Sequence, residues 1–332
     1  MKIKKRYLVP LLLVGTLFLG PRPNYPDLDP EIQDLALSIE EVAPFVQERE
    51  SKVAHLKPDN EARVIWADSV RQTPYSVVYL HGFSASPMEG DPVHQEFAER
   101  YGCNLYLARI ADHGLDYGES FANLTPQDMV DSGKEAIAIG KILGEKVILM
   151  SCSTGGTLSI YLSAENPEDV HAQILYSPNI TLYTSAAKML TYPWGKQLGL
   201  MVEGSHRSLD GMKGEARNYW TTKYRIDGVI SLMSLLEKTM TPEIFAKVNQ
   251  PLMMGYYYKN EDEQDKIVSV PAMLQFFEAA GTPENLKKNV PFPNVGDHVL
   301  TSRLKSQDLD DVREKTFQFA VEALGLTPVN TQ

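Results

Sequence analysis

The segment from Val147 to Gly156 carries the residues that are best suited to chemistry. An apolar, β-branched run ends in Ser-x-Ser-x-Gly-Gly, and residues 157–162 then show helical spacing. This pattern indicates a strand, a sharp turn and a helix. The middle residue of such a turn has a strained backbone and needs very small neighbours. Ser153 is therefore the candidate nucleophile, with Ser151 standing where the motif usually has its first glycine.

A serine hydroxyl is a weak nucleophile at neutral pH and needs an imidazole base that a carboxylate orients. If the three follow in the order serine, acid, histidine, His298 is the histidine that lies beyond the last long strand. Asp265, 33 residues before it, ends the polar loop after that strand and is the candidate acid. Nearby carboxylates compete for this role: Glu261, Asp262, Glu263 and Asp297.

Backbone N–H groups can stabilise an oxyanion because they are already oriented and cost little reorganisation. Thr154, at the start of the helix after the turn, supplies one candidate donor. Phe83, in the His81-Gly82-Phe83 turn that follows a strand, supplies the other. We interpret His81 and His113 as scaffold residues that hold their loops by hydrogen bonds.

Strands alternate with helices along most of the chain. We predict strands at 63–66, 76–80, 104–108, 147–150, 172–176, 251–258 and 286–290, and helices at 31–50, 92–101, 125–144, 271–280 and 309–324. Such alternation indicates an α/β fold with a mostly parallel central sheet flanked by helices. Ligands bind such sheets beyond the carboxyl ends of the strands. Three predicted strand ends carry His81-Gly82, Asp112-His113 and Ser153.

The alternation stops between about residues 178 and 250. Apolar residues there are mixed with glycines, and an apolar helix follows at 229–236. We predict a helical cap insertion over the carboxyl edge of the sheet, which would wall the substrate pocket. Met189, Trp194 and Met201 are the candidate pocket residues, since an apolar wall rich in methionine and aromatic groups suits an acyl chain. Most other apolar residues of the insertion would fill its own core.

Composition and charge limit the classes of function. The 332 residues are 43% hydrophobic, which is enough apolar material for one large core. The net charge is −11, and it becomes −15 without the first 20 residues, so a nucleic-acid partner is not expected. Cys103 and Cys152 are too few for a disulfide scaffold or a zinc site of paired cysteines, and the sequence leaves open whether they pair.

The N-terminus has the features of a targeting segment. A basic patch, residues 2–6, precedes a 14-residue apolar run, residues 7–20, of signal-peptide length. No small-x-small cleavage site is present, so an uncleaved membrane anchor is one interpretation and a buried first element is another. The positive-inside rule places the rest of the chain in the periplasm or outside the cytoplasm. The proline-rich residues 21–30 suit a tether, which divides the chain into segments 1–20, 21–62 and 63–332.

Five motifs taken together resemble the α/β-hydrolase superfamily, and within it the carboxylesterase and monoacylglycerol-lipase-like branch, which is also grouped with serine aminopeptidase-like hydrolases. The motifs are His81-Gly82-Phe83, Asp112-His113-Gly114, Ser151-Cys152-Ser153-Thr154-Gly155-Gly156, Asp265-Lys266-Ile267-Val268 and Gly296-Asp297-His298. The resemblance covers roughly residues 63–324, in the family's order. It implies a serine hydrolase with Ser153, Asp265 and His298 as triad, Phe83 and Thr154 as oxyanion donors, a helical cap and no cofactor or metal. Two features depart from the pattern: Ser151 replaces a glycine, and the segment before residue 63 has no counterpart.

The expected reaction is the hydrolysis of a small-molecule carboxylic ester, of the acyl-ester or monoacylglycerol type, through an acyl-enzyme. The same three residues could instead cleave an amide or a peptide. A third reading is a non-catalytic binding member of the fold. The sequence carries no signal for the oligomeric state.

Overall fold

A computed structural model describes residues 19–329 of the chain. The basic patch and most of the predicted targeting segment, residues 1–18, therefore lie outside the described residues. The strands are β1 (Arg63–Ile65), β2 (Thr73–Leu80), β3 (Asn104–Leu107), β4 (Gly144–Cys152), β5 (Ala172–Tyr176), β6 (His206–Ser208), β7 (Lys223–Arg225), β8 (Leu252–Tyr257) and β9 (Lys287–Phe292).

Seven of these strands form the central sheet, in the order β1-β3-β2-β4-β5-β8-β9. β1 pairs antiparallel with β3, and every other neighbouring pair is parallel. The elbow strand β4 is therefore the central strand. Its register aligns Ser151 with Leu80 of β2 and with Leu175 of β5. The carboxyl ends of β2, β4 and β5 thus meet at one edge of the sheet.

Helices cover both faces of this sheet. They are α1 (Ile39–Ser51), α2 (Val93–Tyr101), α3 (Pro126–Leu143), α4 (Thr154–Glu165), α5 (Gly195–Glu203), α6 (Ile226–Thr239), α7 (Pro242–Lys247), α8 (Val270–Ala279) and α9 (Leu309–Glu322). Alternate strand residues enter different cores: Val78 and Leu80 pack in the same buried cluster as residues of α3 and α4, whereas Val77 and Tyr79 pack with residues of α2 and α9. The period of two along β2 therefore builds two hydrophobic layers.

The helix predicted at 31–50 begins later, at Ile39. The backbone N–H of Ser38 donates to Glu41 Oε2 at 2.8 Å, the capping contact that starts α1 at this point. Leu28, Ile32 and Leu35 still pack against the core, but from an extended chain. The apolar residues in this stretch indicate burial and not a helix, so the helix prediction was wrong for residues 31–38.

The cap insertion predicted at residues 178–250 lies between β5 and β8, which are neighbours in the sheet. It contains the 3₁₀ helices Ser185–Thr191 and Gly214–Asn218, the helices α5, α6 and α7, and an antiparallel hairpin in which His206 of β6 pairs with Arg225 of β7. The prediction of a helical insertion without strands missed this hairpin, because strands of three residues show no alternation. Of the helices within residues 19–329, none is long and apolar enough to cross a membrane.

Candidate active site

Ser153 occupies the turn between β4 and α4. Its backbone has φ 53° and ψ −115°, a strained conformation for a residue other than glycine. The two glycines that follow are sterically required: a Cβ on Gly155 would overlap the carbonyl oxygen of Leu80, and one on Gly156 would lie 2.7 Å from Pro178 Cβ. Ser151 is buried at the end of β4, and its hydroxyl has no partner among residues 19–329. The chain therefore accommodates a serine where the motif usually has glycine.

Asp265 and His298 meet at the same edge of the sheet. His298 Nδ1 lies 2.6 Å from Asp265 Oδ2, and Asp265 Oδ1 accepts the N–H groups of Ile267 at 2.8 Å and Val268 at 3.0 Å. Glu261, Asp262 and Glu263 are exposed in the loop after β8. Asp297 accepts the N–H of Val299 at 2.9 Å. Of the five candidate acids, Asp265 is the one whose carboxylate lies within hydrogen-bond distance of the His298 ring in the described residues.

The electrostatics of this pair favour an ionised couple. Burial opposes charge on both groups, yet the positive form of His298 and the two backbone N–H donors hold the pKa of Asp265 below its ordinary value. Burial likewise lowers the pKa of His298, but the Asp265 carboxylate outweighs it and raises that pKa above its ordinary value of 6.5. The arrangement fixes the imidazole with Nδ1 toward the carboxylate, which leaves Nε2 as the nitrogen available for proton transfer.

Ser153 and His298 are joined through the end of β5. The Ser153 N–H donates to the carbonyl of Tyr176 at 3.0 Å, and the hydroxyl of the next residue, Ser177, donates to the His298 carbonyl at 2.9 Å. Within residues 19–329, no direct hydrogen bond links Ser153 Oγ to His298 Nε2. Catalytic hydrogen bonds are often long in unliganded sites and tighten when substrate binds.

The His81-Gly82-Phe83 turn packs directly on the elbow. A Cβ on Gly82 would lie 3.0 Å from Ser153 Cβ, so a side chain there would crowd the serine. The Phe83 N–H has no hydrogen-bond acceptor among residues 19–329. Thr154 is the first residue of α4, where a helix leaves its N–H groups without intrahelical acceptors. Thr154 follows Ser153 directly and Phe83 follows Gly82, so both predicted donors lie on segments next to the serine.

His81 and His113 support these loops. His81 Nε2 accepts the Ile110 N–H at 3.1 Å and its Nδ1 lies 2.8 Å from the Gly82 carbonyl, while His113 Nδ1 lies 2.8 Å from the Ala111 carbonyl. Burial lowers the pKa of His81 to about 4, so the ring is neutral at pH 7. These contacts agree with a scaffold role.

Known protein structures resemble this chain in fold at low sequence identity. No family model matches the chain. The structure of the metagenome-derived lipolytic enzymes LipS and LipT superposes with a TM-score of 0.65 at 16% identity, over 80% of this chain and 98% of that one. The monoacylglycerol lipase of Paleococcus ferrophilus superposes with a TM-score of 0.58 at 15% identity, over 78% and 97%.

This chain has the α/β-hydrolase fold. The sequence prediction of that fold, with a mostly parallel sheet, is confirmed. A curated relative, the thermostable monoacylglycerol lipase of Bacillus sp. (strain H-257), is 30% identical over 95 residues, which are 29% of this chain and 37% of that protein. The match thus spans little more than a third of the relative's length.

Sequence reasoning missed Glu89, a buried carboxylate beside this α/β-hydrolase elbow. Glu89 is 2% exposed, and its Oε2 accepts the Gly82 N–H at 2.6 Å and the Tyr79 hydroxyl at 3.4 Å. Burial raises its pKa to about 7, against the opposing effects of the Gly82 N–H and of His298. The one signal in the sequence was an isolated acid in the small-residue stretch that follows Phe83.

The cap contacts the turn that carries Phe83 through aromatic rings. The Phe83 ring lies 5.6 Å from Tyr224 of β7 and 4.8 Å from Phe121, and the Thr221 N–H donates to the Ser84 carbonyl at 2.6 Å. The hairpin that the sequence did not predict therefore positions the cap over the turn that carries Phe83.

The expected pocket residues face outward, which corrects the prediction. Met189, Trp194 and Met201 lie on the outer surface of the cap and are 54%, 39% and 80% exposed. Apolar composition alone does not tell the inner face of a helix from its outer face. A partly open pocket of about 380 Å³ lies instead between the 3₁₀ helix Ser185–Thr191, α6, α7 and α8. Its lining combines apolar residues with polar or charged ones: Ile180, Tyr192, Met233, Leu236, Met240, Phe245 and Ala272 with Thr181, Lys188, Thr191, Glu237 and Gln275.

Ser153, Asp265 and His298 do not line this pocket, and its link to the elbow is a backbone hydrogen bond made by the neighbour of a lining residue. Ile180 lines the pocket, and the N–H of the preceding residue, Asn179, donates to the Ser153 carbonyl at 2.9 Å.

Cys103 and Cys152 are both free and buried. Among residues 19–329, no group of three or more His, Cys, Asp or Glu side chains is arranged to hold a metal ion.

Proposed function

We propose that this protein is a serine hydrolase that cleaves carboxylic esters through an acyl-enzyme. The observation that carries the proposal is the convergence of three groups at one sheet edge: a strained serine, a His298–Asp265 pair at 2.6 Å, and a backbone turn packed on the serine. Nucleophile, oriented base and N–H donors are the parts that acyl transfer needs.

In the proposed reaction, Ser153 Oγ attacks the ester carbonyl carbon while its proton moves to His298 Nε2. Asp265 stabilises the resulting imidazolium, and the N–H groups of Phe83 and Thr154 donate to the oxyanion. Collapse of the tetrahedral intermediate breaks the bond to the alkoxy group, which takes the proton from His298 and leaves as the alcohol. Water, activated by His298, then hydrolyses the acyl-enzyme and regenerates Ser153.

The substrate class we propose is an ester with an apolar acyl group, such as a monoacylglycerol. A partly open pocket of about 380 Å³, largely apolar but with Lys188 and Glu237 also in its lining, begins at Ile180, next to Asn179, whose N–H donates to the Ser153 carbonyl. The size of the pocket falls in the range of small-molecule sites. The partial match to a monoacylglycerol lipase supports the same class.

The test compares the wild type with Ser153→Ala on p-nitrophenyl esters of short and medium acyl chains. We expect the wild type to hydrolyse them and Ser153→Ala to lose turnover while circular dichroism shows an unchanged fold. Ser159→Ala is the matched control, because Ser159 lies on the same helix, is buried and has a hydroxyl without a partner among residues 19–329.

Turnover retained in Ser153→Ala would contradict the proposal. A wild type that cleaves aminoacyl amides but not esters would assign the same triad to an amidase instead. A wild type inactive on both panels would favour a binding role.

A further inference from the structure

The proline-rich segment after the targeting sequence is docked along the body of the protein. The Pro21 carbonyl accepts the N–H of Trp194 in the cap at 2.9 Å, and the Tyr25 hydroxyl lies 2.9 Å from the Ser231 hydroxyl of α6. Further along, Asn166 at the end of α4 donates to the Pro30 carbonyl at 2.9 Å.

Ion pairs strengthen this docking. Lys134 of α3 lies 2.9 Å from Asp29, and Lys141 of the same helix lies 2.6 Å from Asp34. Lys238 of α6 donates to the Pro26 carbonyl at 2.9 Å. The segment predicted as a tether is thus bound to the body of the protein at many points from residue 21 to residue 34. The position at which the N-terminal apolar run joins the folded body is therefore fixed.

The apolar run joins the folded body at the outer surface of the cap. Gly20 packs so closely on the Trp194 indole that a Cβ on Gly20 would overlap the ring. The apolar run of residues 7–20 ends here, with the basic residues 2–6 before it. A membrane-embedded N-terminal run would therefore bring the cap surface around Trp194 to the bilayer.

This surface is unusually apolar for water-exposed protein. More than half of the exposed large hydrophobic side chains among residues 19–329 belong to it, and Leu19, Met201 and Val202 are 86%, 80% and 78% exposed. The others are Met189, Tyr192, Trp194 and Leu198. Exposed apolar clusters of this kind mark interaction sites, and tryptophan and tyrosine are enriched where protein meets the lipid headgroups.

The charge of the same stretch fits a lipid surface. Residues 181–202 contain no acidic residue, in a chain whose net charge is −11, and their two cations are Lys188, which is exposed, and Lys196, which is paired with Asp227 of α6 at 2.6 Å. Anionic headgroups attract the positive charge of Lys188, and no carboxylate within residues 181–202 repels them. The rest of the acidic body would be repelled, which favours contact through the cap.

We infer that the outer surface of the cap, residues 189–202 with Leu19, rests on a lipid bilayer and is held there by the N-terminal apolar run. The docked segment from residue 21 to residue 34 sets this orientation. The inference stands apart from the chemistry of Ser153, so either can fail without the other.

The test uses the full chain with one added cysteine, since Cys103 and Cys152 are both buried and the new thiol takes the label. Val202→Cys places a polarity-sensitive fluorophore on the cap surface. Val321→Cys is the matched control: Val321 is also an exposed valine, on α9, which packs against α2 and β9. Both proteins are reconstituted into vesicles of phosphatidylcholine and phosphatidylglycerol and are also measured in lipid-free buffer.

We expect vesicles to shift the emission of the label at position 202 to shorter wavelength and to shield it from iodide, while the label at 321 stays unchanged. No change at 202, or an equal change at both positions, would overturn the inference. A label at 202 that is already shielded in lipid-free buffer would also overturn it, because a second copy or the N-terminal run would then cover the surface.

Discussion

Replacing Glu89 by glutamine should make the protein gain stability, relative to the wild type, as the pH rises. Glutamine keeps the size of the side chain and an oxygen that can accept the Gly82 N–H, which lies 2.6 Å from Glu89 Oε2. It removes the buried charge. The substitution therefore isolates the ionisation of Glu89 from its role in shape and hydrogen bonding.

The expected magnitude follows from the pKa of the buried carboxyl. A pKa of about 7 in the folded protein, against an ordinary value of 4.5, corresponds to roughly 3 kcal/mol. The folded state holds this proton more tightly than the unfolded state, so the wild type loses that stability as the pH rises from 4.5 to about 7. The glutamine variant loses none of it.

The ionisation of His298 also makes the unfolding free energy of Glu89→Gln rise with pH relative to that of the wild type. Glu89 helps to raise the pKa of His298, although burial and Asp265 are the larger influences. A raised histidine pKa contributes stability below pH 6.5 that disappears as the pH rises through the folded value. Glu89 becomes charged only as the pH approaches 7, so its attraction to His298 is lost as the pH rises through the folded pKa of His298, and this adds to the loss of stability in the wild type.

The assay is urea unfolding of both proteins at pH values from about 4.5 to 8. The unfolding free energy of Glu89→Gln minus that of the wild type should rise by roughly 3 kcal/mol and level off above pH 7. A difference that does not vary with pH, or that falls, would refute the reasoning. It would mean that the Gly82 N–H holds Glu89 ionised in the folded protein.

Three further outcomes follow from the same geometry. Asp265→Asn should lower kcat by roughly 10⁴-fold while circular dichroism shows an unchanged fold, and activity within tenfold of the wild type would contradict its assigned role. Gly155→Ala should cost at least about 2 kcal/mol in urea unfolding, because its Cβ would overlap the Leu80 carbonyl oxygen; unchanged stability would show that this contact can relax. Ester hydrolysis should be lost on acidification with a midpoint above 6.5, because Asp265 outweighs burial in setting the pKa of His298. A midpoint below 6.5 would argue against the ionised pair.

The central strand and its turn could be predicted from sequence because their signals are local. A β-branched run, a serine and two glycines lie within ten residues. The two glycines are needed because a Cβ on either would overlap Leu80 or Pro178, which pack against the turn. The positions of Asp265 and His298 followed from their order along the chain.

Other features depend on contacts that the sequence does not encode locally. The capping pair Ser38 and Glu41 decides where α1 begins, despite an earlier start signal. Glu89 acquires its environment from Gly82, Tyr79 and His298, which reach it only in the folded chain. The outward orientation of Met201 depends on which face of α5 packs on the cap.

If Ser153 is an activated nucleophile, a fluorophosphonate probe should modify it. The measurement treats the wild-type protein with the probe and maps the modified peptide by mass spectrometry, with Ser153→Ala and Ser159→Ala in parallel. We expect one label on Ser153, its loss in Ser153→Ala and its retention in Ser159→Ala. An unlabelled wild type, or a label on a different serine, would contradict the assignment of Ser153 as the nucleophile.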